Sequence, residues 1–303
     1  MTQILRCGPA GLKDIPFAGE CAGPNSWYVH ALSMSNRATT AFPPETMPTV
    51  SLMGLRLART EWRGLVDHIF ASLGAGCGGW LITANLDFLR RYVCDPEARR
   101  LYDTAEIRVA DGMPLVWACW IQGDRLPDRV PGSSLVWPLI ERAAREGRSV
   151  YLLGGAPGVN GRAAKVLVDK YPSLRLCGAS SPLIGSPPSS RDVELVLAEL
   201  TKVRPDILLV GLGSPKQEQL IRALREHLPS TWMVGVGISF SFVAGDLKRA
   251  PAWMCRMGIE WVHRMIQDPR RLTKRYLVDD LPFALRLFPH ALQVRLQRAH
   301  ERG

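Results

Sequence analysis

No two cysteines in this chain are spaced as C-x-x-C, and no histidines as H-E-x-x-H. The seven cysteines (Cys7, Cys21, Cys77, Cys94, Cys119, Cys177 and Cys255) are scattered and odd in number. That pattern argues against a disulfide framework and against structural zinc. It predicts a reducing compartment and no protein-bound metal or cofactor. No apolar run approaches the roughly 20 residues of a membrane-spanning helix. The N-terminus lacks a charged region followed by an apolar core, so no signal peptide is expected and the predicted location is cytoplasmic. Also missing are a G-x-G-x-x-G after the first strand and an acidic residue placed to read a ribose, which weighs against a nucleotide-cofactor oxidoreductase. No DNA- or RNA-binding motif and no aromatic stacking cluster is present, which weighs against nucleic acid as the partner. Both classes stay as alternatives.

What the chain does have is positive charge. Its 303 residues carry a formal net charge of +10, with a hydrophobic share of 47%. The length suits one large α/β domain with an appendage, and the charge points to an acidic partner such as anionic lipid or a phosphorylated substrate. Residues 1–48 are rich in Gly, Pro, Ser and Thr with little periodicity, as in Gly23-Pro24-Asn25 and Pro43-Pro44. They read as a disordered extension.

From residue 49 to 245, strand-like runs alternate with helical patterns. Strands are predicted over Val50–Leu57, Trp80–Thr83, Ile107–Ala110, Val150–Leu153, Leu174–Cys177, Ile207–Val210 and Trp232–Val236. Helices fall between them, as in Glu61–Leu73 with Trp62, Leu65, Val66, Ile69 and Phe70 on one face. Such alternation predicts a Rossmann-like, mostly parallel sheet with helices on both faces.

Residues 246–303 differ in texture. From Arg264 onward nine basic residues face four acidic ones, half of the net charge. Leu281, Leu285, Phe288, Leu292, Leu296 and Ala299 recur at helical spacing, with Arg286, Arg295 and Arg298 off that stripe. This basic amphipathic pattern suits an anionic membrane surface, or else docking on its own domain or on another subunit of a homo-oligomer.

The stretch 205–219, Pro-Asp-Ile-Leu-Leu-Val-Gly-Leu-Gly-Ser-Pro-Lys-Gln-Glu-Gln, organises the rest. An aliphatic strand runs into Gly211 and Gly213, which allow a tight turn and close approach of a ligand. Ser214 is placed to cap a helix with Pro215 in its first turn, and Gln217 and Glu218 sit among the free N–H groups. In an open α/β sheet this corner favours anionic ligands, although every α/β protein has ordinary corners of the same kind. Other polar groups end strands: Thr83 and Asn85, Asp111 before Gly112, the Gly154-Gly155 turn, and Gly237. Asp111 is either a general base whose pKa burial raises, or simply the cap of the next helix. Arg129 stands just before a helix start, and Arg249, Arg264, Arg271 and Arg275 can supply positive charge to a diphosphate, or each arginine can be a solvated surface charge.

Taken together, several motifs resemble one family. They are Thr83-Ala-Asn-Leu-Asp87, Ala110-Asp-Gly-Met113, Arg129-Val-Pro-Gly132, Leu153-Gly-Gly155, Val210-Gly-Leu-Gly-Ser-Pro-Lys-Gln-Glu218 and Gly235-Val-Gly237. Then follow Ala244-Gly-Asp-Leu-Lys-Arg-Ala-Pro251, Gly258-Ile-Glu-Trp261, Arg264, Asp268-Pro-Arg-Arg271 and Arg275-Tyr276. The chain resembles the WecG/TagA/CpsF glycosyltransferases from about Val50 to Tyr276. The resemblance implies an inverting, metal-independent transfer of a hexose or N-acetylhexosamine. The sugar would move from a UDP-sugar to a polyprenyl-diphosphate-linked acceptor sugar, forming bacterial cell-surface polysaccharide on the inner face of the cell membrane. It implies that Asp111 is the base and that Thr83 and Asn85 contact the reacting centre. It further implies that Arg129 and Gln217 hold the donor while Arg264, Arg271 and Arg275 reach the pyrophosphate. Three features depart from the pattern: Met113-Pro114 after the Asp-Gly pair, Ser241 where an aspartate is expected, and the long N-terminal extension.

Overall fold

The computed structural model describes residues 47–301, without the side chains of Ala252, Arg256 and Arg271. The expected N-terminal extension lies almost entirely outside the described residues. The described part opens on a hairpin, β1 (Thr49–Leu52) and β2 (Leu55–Ala58). The sequence predicts one strand over this span. The chain instead reverses at Met53 and Gly54, both at positive φ (49° and 87°), which is the backbone a two-residue hairpin turn requires.

The rest of the core is a six-stranded sheet in the order β4-β3-β8-β7-β5-β6, every neighbouring pair parallel. Its strands are β3 (Gly79–Ala84), β4 (Ile107–Ala110), β5 (Ser149–Gly154), β6 (Arg175–Ser180), β7 (Ile207–Gly211) and β8 (Trp232–Gly235). β7 and β8 are buried along their whole length, as apolar strands at the centre of a parallel sheet must be. Helices cover both faces. On one face lie α2 (Leu86–Cys94), α3 (Pro96–Asp103), α4 (Met113–Gln122), α7 (Ser190–Val203) and α8 (Lys216–Arg225), around Phe88, Leu89, Val116, Leu200 and Leu224. On the other lie α1 (Trp62–Gly74), α5 (Gly132–Glu146), α6 (Val159–Lys170) and α9 (Ser239–Val243), around Ile69, Leu139, Leu167 and Phe240. The sequence pattern passes over α3, although its start carries an ordinary signal: Asp95 accepts from the N–H groups of Glu97 and Ala98, and Pro96 sits in the first turn.

After residue 245 the chain is helical: α10 (Ala252–Arg256), α11 (Glu260–Gln267), α12 (Pro269–Thr273), a π-helical stretch over Lys274–Asp280, and α13 (Leu281–His300). α13 docks on α4 through Phe283, Leu287 and Ala291, which are buried in the same cluster as Leu115 and Cys119. Arg298 adds an ion pair to Asp124 at 2.6 Å. The stripe expected to be the apolar face is a different one. Leu285 and Leu296 are 68% and 62% exposed, and Leu281 and Leu292 are also exposed. The helix therefore has two apolar rows, one packed inward and one facing outward. Among the described residues no helix is long and apolar enough to cross a membrane.

Candidate active site

β4 delivers Asp111 to the carboxyl edge of the sheet, where its N–H donates to the Ala84 carbonyl at 2.7 Å. The carboxylate does not cap the helix that follows. Gly112 occupies the N-cap of α4, and that cap has no side-chain hydrogen bond. The helix-cap explanation of Asp111 therefore fails. Its side chain, which makes no hydrogen bond to a described residue, lines a cavity of about 370 Å³.

That cavity closes between the sheet edge and the C-terminal helices. Asn85, Asp111, Gly112 and Arg129 come from the core, and Glu260, Arg264, Arg275 and Asp280 from the appendage. An apolar wall of Met113, Pro114, Trp117, Trp261, Tyr276, Leu281, Ala284 and Phe288 completes it. The appendage can come this close to α4 because Gly258 has no side chain. A Cβ there would stand 2.8 Å from the Met113 side chain and 2.9 Å from the Trp117 ring. Met113, a departure from the family pattern, is thus the residue on which Gly258 rests.

The electrostatics around Asp111 are mixed. Burial is the largest influence and raises its pKa. Arg264 lowers it, Glu260 raises it, and Arg129 and Arg275 lower it, leaving the group pushed up to about 6. The arginines have partners of their own. Arg129 donates to Glu260 at 3.1 Å and to the Cys255 carbonyl at 3.1 Å. Arg264 donates to the other Glu260 oxygen at 2.9 Å. Burial alone would raise the Glu260 carboxyl, but Arg264 and Arg129 outweigh it and hold it below the ordinary range. Arg275 donates to Asn85 at 3.2 Å and lies 3.4 Å from Asp87. Asn85 itself caps α2, accepting from the Phe88 N–H. Burial first, then the neighbouring Asp87, pushes Asp280 up to about 7, against the pull of Arg275 and Arg90.

Of the residues singled out in the sequence, Asp111, Asn85, Gly112, Arg129, Arg264 and Arg275 meet in this one cavity. The Arg271 side chain lies outside the described residues. Thr83, Gly154, Gly155, Gly211, Gly213, Pro215, Gln217, Glu218, Gly237 and Arg249 do not line it. Several of them form a second convergence further along the sheet edge. Gly154 and Gly155, both at positive φ, pack against the end of β7, and the Gly155 N–H donates to the Gly211 carbonyl at 2.7 Å. A Cβ at Gly211 would come within 2.7 Å of the Phe240 ring. The helices that leave β5 and β7 lie on opposite faces, which opens a crevice between these strand ends.

At the start of α8 the sequence expectation is corrected. Pro215, not Ser214, is the N-cap, without a side-chain hydrogen bond. The Ser214 hydroxyl accepts from Arg91 instead, at 3.3 Å. Gln217 and Glu218 are buried. Gln217 donates to Glu218 at 2.7 Å and accepts the Gly237 N–H at 3.1 Å, so it clamps α8 to the end of β8. Thr83 lies beside Gly132, where an added Cβ would meet its hydroxyl at 2.9 Å. Arg249 donates to Ser133 and Ser134 in the first turn of α5. Ser241, the second departure, lies on α9 and outside the cavity.

The family model for the glycosyl transferase WecG/TagA/CpsF family matches residues 50–297. The chain belongs to that family. The match reaches past Tyr276, where the sequence motifs end, and takes in most of α13.

The sequence alone gives no role to Asp87, Trp117, Glu260, Trp261, Tyr276 or Asp280. Two of these carried a usable signal. Asp87 stands three and four residues before Arg90 and Arg91, and Glu260 four before Arg264, spacings that bring charges together on a helix. The burial of Asp280 had none.

Proposed function

We propose that this glycosyltransferase-family chain moves a hexose or N-acetylhexosamine from a UDP-sugar to an acceptor sugar carried on a polyprenyl diphosphate, with inversion. The observation that carries the reading is Asp111: a strand-end carboxylate, not used as a cap, facing a cavity that three arginines share. Inversion needs one base opposite the leaving group and no covalent intermediate, so one carboxylate suffices. Charge growing on the departing UDP is met by fixed guanidinium groups and by backbone N–H groups at helix starts. The glycine crevice at Gly155 and Gly211 suits the nucleotide. It lies three to four strand spacings from Asp111, about 14–19 Å at ~4.8 Å each. An extended nucleotide-sugar would run along the sheet edge between the two.

The test is a turnover assay with a panel of UDP-sugars and a polyprenyl-diphosphate sugar acceptor. Transfer from one UDP-sugar is the expected result. Absence of transfer across the panel, with a nicotinamide cofactor bound in place of UDP, would return the oxidoreductase alternative.

The outer row of α13 supports a place at the inner membrane surface. Leu285, Leu292 and Leu296 face away from the core, with Arg286 and Arg295 exposed on the same helix. Deleting the helix is a poor test, because Phe283 and Leu287 belong to the core. Changing the three outer leucines to glutamine leaves the packed row intact. It is expected to weaken sedimentation with anionic vesicles about ten- to a hundred-fold, from roughly 0.5–1 kcal/mol per half-exposed leucine. Unchanged sedimentation would remove the membrane role from this helix.

A further inference from the structure

Glu260 has no part in the reaction described above, yet it holds two of the arginines that line the Asp111 cavity. It stands at the start of α11, in the appendage, and reaches across to the core. One carboxylate oxygen takes Arg129, from the loop before α5, at 3.1 Å; the other takes Arg264, one turn further along α11, at 2.9 Å. The carboxylate is largely shielded from solvent, with its side chain 13% exposed, and the two arginine side chains are 17% and 28% exposed. Charges placed like this interact more strongly than on an open surface.

We infer that Glu260 is a positioning residue: by binding the guanidinium groups of Arg129 and Arg264 to its own two oxygens, it keeps both from pairing with Asp111 and sets where they wait for a diphosphate. The inference rests on the reading of Asp111 as the transfer base. It goes beyond that reading by giving the base a control that the strand end alone does not supply. A carboxylate paired with an arginine is a poor proton acceptor, because the pairing stabilises its ionised form. Among the described residues, four charged groups bear most on Asp111, and Asp280 lines the same cavity. Arg264 and Glu260 come from α11, Arg129 from the loop before α5, and Arg275 from the π-helical stretch. Arg275 is engaged elsewhere, by Asn85 and Asp87. Glu260 is what occupies the other two. Its own negative charge acts in the same direction, opposing ionisation of Asp111. The cavity thus keeps a usable base beside a concentration of positive charge that would otherwise disable it.

The experiment is a carbon-13 titration of aspartate-labelled full-length protein, with Asp111 assigned by its loss in Asp111→Asn, run beside the pH dependence of kcat/KM. Glu260→Gln is expected to lower the Asp111 midpoint by about one pH unit, a ten-fold change in proton affinity. The acidic limb of the rate profile should move down with it, at a reduced plateau. Glu260→Asp keeps the charge but is too short to hold both arginines as before, and should give a smaller downward shift. It also serves if the glutamine variant does not fold. A midpoint and acidic limb that stay in place while the rate falls would make Glu260 a structural brace and overturn the inference. A wild-type protein that titrates at Asp111 but transfers no sugar would instead overturn the reading of Asp111 on which the inference stands.

Discussion

Asp111→Asn is expected to bind UDP as the wild type does and to lose sugar transfer by about 10²–10⁴-fold, the usual contribution of a positioned base. Asparagine keeps the shape of the side chain and cannot take a proton. Nothing structural depends on the charge, because α4 is capped at Gly112 and the Asp111 carboxylate makes no hydrogen bond to a described residue. The raised pKa means that ionised Asp111 costs stability at neutral pH, so the neutral amide should leave the fold at least as stable there as the wild type. The pH dependence follows from the raised pKa of about 6. The base works when ionised, so the wild-type rate should level off above that value and fall about ten-fold per unit below it. Calorimetric UDP titration and a transfer assay from pH 4.5 to 8 check both parts. An asparagine variant that turns over normally would remove Asp111 from the chemistry.

The largest effect on stability is expected at Asp87. This carboxylate is 1% exposed and faces Arg90 at 2.6 Å, Arg91 at 2.7 Å and Arg275 at 3.4 Å. Burial opposes its ionisation, but Arg275, Arg91 and Arg90 together overcome that and hold the pKa below the ordinary value. Asp87→Asn leaves three guanidinium groups around a neutral amide. Breaking a buried ion pair from one side costs about 3–5 kcal/mol. The lower end applies here, since the arginine side chains remain about a quarter exposed. A loss of about 3 kcal/mol in a domain of this size corresponds to a Tm lower by about 6–12 °C. Because Arg275 belongs to the appendage, residues 274–300 should also become the first site of limited proteolysis. A melting temperature within about 2 °C of wild type would show that Arg90, Arg91 and Arg275 find other partners.

The sequence alone carried the sheet well. Ile207–Val210 and Trp232–Val236 are short apolar runs of the kind a sheet buries on both faces, and β7 and β8 are the two central strands. Asp111, Arg129, Arg264 and Arg275 were legible as a set because their motifs keep their order along the chain. What was not legible depended on contacts between distant segments. The periodicity of Leu281 to Ala299 identifies an apolar row correctly. It cannot say that Phe283, Leu287 and Ala291 form a second row that wins the core. Gln217 and Glu218 look like ligand contacts beside a glycine turn, and only the approach of β8 shows that Gln217 also bonds to the Gly237 N–H and to Glu218. The Met53-Gly54 reversal carries little sequence signal, because methionine is an unusual residue at positive φ.

The two rows of α13 also bear on orientation. They point about 160° apart around the helix axis, at 100° per residue. The inner row is bolted to α4, which begins two residues after Asp111. Any flat surface that takes up the outer leucines therefore meets the whole molecule at a set tilt, with the cavity mouth at a set height above it. Inserting one residue between Leu287 and Leu292 would swing the distal leucines sideways by about a quarter-turn, leaving Leu285 and Leu292 unable to lie flat together.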